Sequence, residues 1–216
     1  VSARSAAVFD LDGTLLRGTS SERLLLPWLA RRRVVGVTQL AAACARLASL
    51  PRRGATAALR RNKRWLAGVR VELVVEPIER FLDEVLMSKI CPVVADELFQ
   101  EKSRGACTWL LTGAPDFIAR AVAGRLGMDG AVATSLEVRD GRFTGEVSGR
   151  HVFAVAKREA LRDLAREKSL DLTASCGFAD HGSDVPFLEC FGRPVAVRPD
   201  RELRKVARVR GWPVLL

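Results

Sequence analysis

Ala6-Ala7-Val8-Phe9-Asp10-Leu11-Asp12-Gly13-Thr14 is the stretch on which the fold turns. Four apolar residues in a row read as a short buried strand. The strand stops at Asp10, so its C-terminal end delivers a carboxylate. In an open α/β sheet, ligands bind outside the carboxyl ends of the strands. Asp10 is therefore placed to act as a nucleophile on phosphorus. Asp12, two residues on, can protonate a leaving oxygen and later activate water. Gly13 lets the chain turn tightly beside a phosphate.

Downstream, the periodicity changes twice. Residues from about 20 to 87 read as helices. Ser20-Ser21-Glu22 is a capping signal, and Leu24, Leu25, Trp28 and Leu29 share a face. Gly36 and Pro51-Arg52-Arg53-Gly54 punctuate the segment, and Leu59, Trp65 and Leu66 belong to a later helix. Val74, Val75, Ile78, Phe81, Leu82 and Val85 recur at helical spacing, with Pro77 at a helix start or a kink. A helix is expected over 92–103. Strands and helices then alternate: strand 106–111 ending at Thr112-Gly113, helix 116–126, strand 131–134, a hairpin over 137–147 turning at Asp140-Gly141, helix 157–167, strand 175–179, strand 194–197, helix 202–208 and strand 212–215. That order implies an α/β fold with a mostly parallel sheet covered on both faces.

Composition narrows the class. Of 216 residues, 48% are apolar, which suffices for a core, and 28% are charged, which argues against wholesale disorder. No apolar run approaches the ~20 residues of a membrane span. The polar start, Val1 to Ala7, does not read as a signal peptide. Cys44, Cys91, Cys107, Cys176 and Cys190 are odd in number and form no CxxC pair. Reduced thiols in a cytoplasmic protein are the expectation. The net charge of +10 is uneven: between Arg17 and Arg70 thirteen Arg or Lys face one acid, Glu22. This is either a surface for anions or a solvated helical face.

Three more pieces fall at the ends of later strands. The Thr112 hydroxyl and the amides around Gly113 could hold phosphate oxygens, with a helix starting nearby. Lys157 could neutralise phosphoryl and nucleophile charge. Gly177-Phe178-Ala179-Asp180-His181-Gly182-Ser183-Asp184 puts two carboxylates four residues apart after a strand, hard oxygen ligands suited to Mg²⁺.

Taken together, Asp10-Leu11-Asp12-Gly13-Thr14, Thr112, Lys157 and Ala179-Asp180-His181-Gly182-Ser183-Asp184-Val185-Pro186 resemble the four motifs of the haloacid dehalogenase superfamily, in its phosphoserine-phosphatase-like branch. The tail, Arg193 to Asp200 and Gly211 to Val214, is similar too. The resemblance implies a Rossmann-like core over 1–16 and 88–216, with an all-helical cap inserted over 17–87. It implies Asp10 as nucleophile and metal ligand, and Asp12 as acid/base that also lends its backbone carbonyl to the metal. Thr112 and Gly113 would bind phosphate, Lys157 would steady nucleophile and phosphate, and Asp180 and Asp184 would hold Mg²⁺. An Asp at position 12 points to phosphoryl transfer, because the dehalogenase branch lacks that acid. Two positions depart from the pattern. His181 stands where a small residue is usual; it either crowds the metal loop, bonds a carboxylate or substrate, or is structural. The Glu that reads the amine of phosphoserine is missing from its usual place, and Glu22 comes late. His151 has no motif support.

The expected activity is Mg²⁺-dependent hydrolysis of a phosphate monoester through a phospho-aspartate. The substrate is either a small cytoplasmic phosphomonoester or a multiply anionic or lipid-headgroup phosphate, the latter with peripheral contact to anionic membrane. Nucleic acid is not an expected partner. The alternative reading is a non-catalytic module that uses the same pocket to bind phosphate, membrane or nucleic acid.

Overall fold

A computed structural model describes residues 4–39, 41 and 63–216 of the chain. Cys44, Pro51 to Gly54, Leu59, and Arg46, Arg52, Arg53, Arg60 and Arg61 of the basic segment lie outside the described residues.

The centre is β1 (Ala6–Phe9), buried at every position. It pairs in parallel with β2 (Cys107–Pro115) on one side and β6 (Cys176–Ala179) on the other. With β3 (Gly130–Thr134), β7 (Arg193–Val197) and β8 (Val214–Leu215) the order is β3-β2-β1-β6-β7-β8, all parallel. The chain builds outward through β2 and β3, then returns past β1 to add β6, β7 and β8. This reversal of strand order lies beside β1, where an open α/β sheet has its ligand crevice.

Both faces of β1 are covered, which is why the strand is apolar throughout rather than alternating. Ala7 and Phe9 join a core with Leu25 of α1 (Ser21–Arg31), Leu98 of α4 (Pro92–Ser103) and Ile118 of α5 (Asp116–Arg125). Ala6 and Val8 join a second core with Leu161 of α6 (Val155–Lys168), Leu188 of α7 (Val185–Leu188) and Leu203 of α8 (Arg201–Arg210). Phe9 stacks on Phe178 of β6 with ring centroids 4.3 Å apart, fixing the β1–β6 register next to the acidic strand ends.

The segment between β1 and α4 leaves and re-enters by one door. Leu16 bridges Ile90 in antiparallel fashion, Arg17 N–H donates to the Lys89 carbonyl, and Cys91 N–H donates to the Leu15 carbonyl. Within it, Ser20 caps α1 by accepting from the Arg23 N–H. The helix expected over 74–85 breaks at Pro77, which has no N–H to continue the ladder. It becomes α2 (Glu72–Val75), α3 (Ile78–Phe81) and a wide π turn over Leu82–Leu86. No periodicity announces what the hairpin does. β4 (Leu136–Arg139) and β5 (Arg142–Val147) turn at Asp140 and Gly141, both at positive φ, as a tight hairpin requires. The hairpin stands outside the main sheet and bonds to 68–71: Gly68 N–H to the Phe143 carbonyl, Phe143 N–H to the Val69 carbonyl, and Val71 N–H to the Gly141 carbonyl.

Two strand ends differ from expectation. β2 runs on to Pro115, with its register against β3 shifting between Leu111 and Pro115. Thr112 thus lies in an irregular stretch of strand rather than at its end. β8 begins only at Val214, because Gly211 takes positive φ and Trp212 N–H closes α8 on the Ala207 carbonyl. Phe9→Ala should cost about 3–5 kcal/mol of stability, the usual range for a large-to-small change at a fully buried aromatic. Urea unfolding of the two proteins checks it.

Candidate active site

The acidic groups meet at the carboxyl ends of β1 and β6. Asp10 follows β1 and donates its N–H to the Phe178 carbonyl at 2.9 Å. The register that opposes Phe9 to Phe178 brings Asp180 alongside. Asp184 comes from the short helical turn Gly182–Asp184. One carboxylate oxygen from each of Asp10, Asp180 and Asp184 lies within 4.8 Å of the others. Thr14, wholly buried, reaches Asp10 Oδ2 at 3.3 Å and Asp180 Oδ1 at 3.2 Å with its hydroxyl.

Lys157, from α6, answers this charge. Its Nζ donates to Asp10 Oδ1 at 2.8 Å and lies 3.2 Å from Asp184 Oδ1, over the Phe187 ring. The side chain is almost wholly buried. Burial alone would lower its pKa, but the Asp10 and Asp184 charges outweigh it and hold the ammonium charged. Asp180 is pushed up to about 7, first by burial and then by Asp10 and Asp184. Asp184 is raised by burial, with Lys157 opposing. One ammonium does not balance three close carboxylates, and a divalent cation would remove the repulsion.

The donors fit such a cation. They are hard oxygens on three separate backbone positions, as Mg²⁺ prefers. Gly13 turns at φ 89°, and a Cβ there would overlap the Asp180 carboxylate. The space is kept clear by the absence of a side chain.

Asp12 lies on the other side of the turn. Its Oδ1 accepts from the Ser21 N–H at 2.7 Å, and its carboxyl is pushed up to about 7, chiefly by burial, with Asp10 and Glu22 adding repulsion against the Ser21 bond. Thr112 is buried, and the register of Phe9 with Leu110 places it one step beyond the level of Asp10. Its hydroxyl accepts from the Ala114 N–H at 3.2 Å. Gly113 follows it, close to the Val152 carbonyl and to His151, which is buried beside Phe153.

His181 braces the loop. Its Nδ1 accepts from the Ser183 N–H at 3.1 Å, and its Nε2 lies 3.4 Å from Asp200 Oδ2. Asp200 also caps α8 through the Leu203 N–H, accepts from the Gly182 N–H, and donates its own N–H to the Asp180 carbonyl. Arg198 donates to the carbonyls of Gly13 and Thr14 at 3.0 and 2.7 Å, and to Cys91 Sγ. Neither Asp200 nor Arg198 was singled out by sequence reasoning. Both lie in the tail that carries the family resemblance, and Asp200 also carries the signal of a helix cap. Lys63, only 1% exposed, pairs with Glu22 near Asp12.

A family model for haloacid dehalogenase-like hydrolases matches residues 7–189. The chain belongs to that family. It is 33% identical over 215 residues to a Mycobacterium tuberculosis protein named phosphoserine phosphatase, a match covering 97% of this chain and 70% of that one. It is 28% identical to a Neisseria meningitidis histidinol-phosphatase, with 98% of each covered. Among solved structures, a Bordetella pertussis protein of unknown function superposes with a TM-score of 0.83 at 27% identity, covering 100% of this chain and 99% of that one. The chain is thus a phosphatase of the phosphoserine-phosphatase-like kind, in a family whose phosphatases generally use Mg²⁺.

Saturating Mg²⁺ should raise the thermal midpoint of the native protein; a hundredfold excess over Kd is worth about 2.7 kcal/mol. Gly13→Ala, which pushes a methyl group into Asp180, should fold but lose that response. Thermal melts with and without Mg²⁺ check both.

Proposed function

We propose that the chain hydrolyses a small phosphate monoester through a phospho-aspartate on Asp10, with Mg²⁺ held by Asp10, Asp180 and Asp184 and by the Asp12 backbone carbonyl. The observation that carries this reading is the contact of Asp10 with Lys157 inside the acidic cluster. A carboxylate nucleophile must meet a phosphate dianion, so the site has to cancel charge before it can react. When bound, the cation would supply that cancellation as a Lewis acid.

The remaining work falls to the chain. Lys157 keeps one Asp10 oxygen fixed and shares the phosphoryl charge. Thr112 and the amides about Gly113 bind the phosphoryl oxygens. Asp10 forms a bond to phosphorus as the ester P–O bond breaks, and the leaving oxygen takes the proton of Asp12. Asp12 then accepts a proton from a water that attacks the phospho-aspartate, releasing phosphate and restoring Asp10. Proton transfer of this kind contributes roughly 10²–10⁴-fold. A carboxyl near 7 can hold the proton in one half-reaction and accept it in the other. Residues 17–87 form the cap of this scheme and 1–16 with 88–216 its core. The cap covers the site and selects the substrate.

A small soluble substrate is favoured over a lipid-borne one. The relatives named for phosphoserine and histidinol phosphate act on small phosphoesters by those names. The basic segment is also less free than its composition suggests. Arg32 pairs with Glu84, Lys63 with Glu22, Arg64 with Glu146 and Arg70 with Glu72. Three of those four acids come from outside the segment. Arg17, Arg23, Arg31 and Arg33 remain exposed and suit the steering of an anion toward the site. No helix among the described residues is long and apolar enough to cross a membrane, and Cys91, Cys107, Cys176 and Cys190 are free thiols, which fits work in the cytoplasm.

Asp10→Asn should reduce turnover to background while the fold and melting profile survive. A phosphate-release assay with Mg²⁺ over phosphoserine, histidinol phosphate and lysophosphatidate checks both mechanism and class. Near-normal turnover by Asp10→Asn would overturn the mechanism, and activity confined to lysophosphatidate would overturn the small-molecule reading. With neutral and anionic vesicles at physiological salt, equal and low sedimentation is expected.

A further inference from the structure

Ser21 is the first residue of α1 and has no exposed surface. Its N–H is one of the first-turn amides that find no partner inside a helix. Here it donates to Asp12 Oδ1 at 2.7 Å, where the helix dipole also favours negative charge. The side chain is a separate matter. Ser20 already performs the capping, its hydroxyl accepting from the Arg23 N–H. The Ser21 hydroxyl is therefore spare. It is closed off from water, makes no hydrogen bond of regular geometry among the described residues, and lies near enough to the Asp12 carboxyl to favour its ionised form. Buried hydroxyls nearly always have partners, so an exception beside a reacting group calls for a reason.

We propose that Ser21 is a positioning residue for Asp12, its amide pinning one carboxyl oxygen and its hydroxyl turning in to donate to the carboxylate as the proton leaves. The proposal rests on Asp12 being the acid of the function given above. During transfer to Asp10 the ester P–O bond breaks and the leaving oxygen takes the Asp12 proton. Asp12 becomes a carboxylate, a far better acceptor than the neutral acid. Ser21 keeps its own proton and closes to a full hydrogen bond as that charge develops. An interaction stronger in the transition state than in the ground state raises the rate. α1 belongs to the segment between β1 and α4, so the acid is aligned from the cap side of the site.

The test is the leaving group. A poor leaving group needs the proton and a good one does not. With phenyl phosphate and 4-nitrophenyl phosphate in the presence of Mg²⁺, kcat/KM covers every step up to departure of the phenol. Ser21→Ala, which keeps the amide and removes only the hydroxyl, should lower kcat/KM about tenfold for phenyl phosphate. For 4-nitrophenyl phosphate the change should be less than about twofold, and the Mg²⁺-induced rise in melting temperature should be unchanged. Asp12→Asn serves as the reference and should show the same selectivity more strongly. An equal loss on both esters would assign Ser21 to packing and overturn the proposal, and so would no loss on either. Selective loss in Asp12→Asn without it in Ser21→Ala would leave the acid in place and remove Ser21 alone. A loss in Asp12→Asn that ignores the leaving group would remove the acid assignment, and the Ser21 proposal with it.

Discussion

Negative charge packed at the ends of two neighbouring strands is the constraint from which the rest of this molecule follows. Asp10, Asp180 and Asp184 bring oxygens within 4.8 Å, and all lie largely out of water. Like charges this close repel and oppose folding unless they are answered. Lys157 supplies one buried positive charge and Thr14 a hydroxyl shared between two carboxylates. What remains is a site that is incomplete by itself and suited to a doubly charged guest. The strain is carried by a deep apolar frame: Phe9 on Phe178 beneath the acids, and a core on each face of β1.

Around the acids lies a second tier that holds backbone rather than charge. Arg198 grips the carbonyls of Gly13 and Thr14 from the end of β7, and Asp200 ties both the Asp180 carbonyl and the Gly182 amide to the start of α8. His181 completes the tie through Asp200 and Ser183. These residues touch no reacting group, yet they decide where the carboxylates point. Precision of this kind, a few tenths of an ångström, separates an acidic patch from a site able to react.

Local signals reached far in this chain. The unbroken apolar run Ala6 to Phe9 announced a strand buried on both faces, and Asp10 and Asp12 fell where the sheet needs them. Lys157, Asp180 and Asp184 each sat at or near a strand or helix end that periodicity could mark, whereas Thr112 lies inside β2, which runs on to Pro115. The legible features were those in which a side chain's role follows from its own neighbours in sequence. Arg198 reads as one more arginine in an arginine-rich tail, because its meaning comes from two carbonyls more than 180 residues away. The hairpin's attachment to 68–71 was hidden for the same reason. Counting charges in the basic segment could not show that Glu72, Glu84 and Glu146 arrive from elsewhere to pair with Arg70, Arg32 and Arg64. The break at Pro77 was visible as a kink, but the π turn that follows was not, because it carries the same apolar spacing as a helix.

The bridge between Leu16 and Ile90 has a consequence beyond the present chain. The excursion that begins after β1 comes back to the point it left, so it enters and leaves the sheet through two adjacent ends, although Leu25 packs on the β1 core and 68–71 bonds the hairpin. Closing such a loop costs only about 0.6 kcal/mol more for each doubling of its length. Material can be added to the excursion, taken away or replaced without re-registering a single strand of the sheet. Descent with modification can therefore trade one substrate-reading device for another, provided that the newcomer again holds Asp12 as the Ser21 amide does. A scaffold organised in this way can acquire new specificities without having to relearn how to fold.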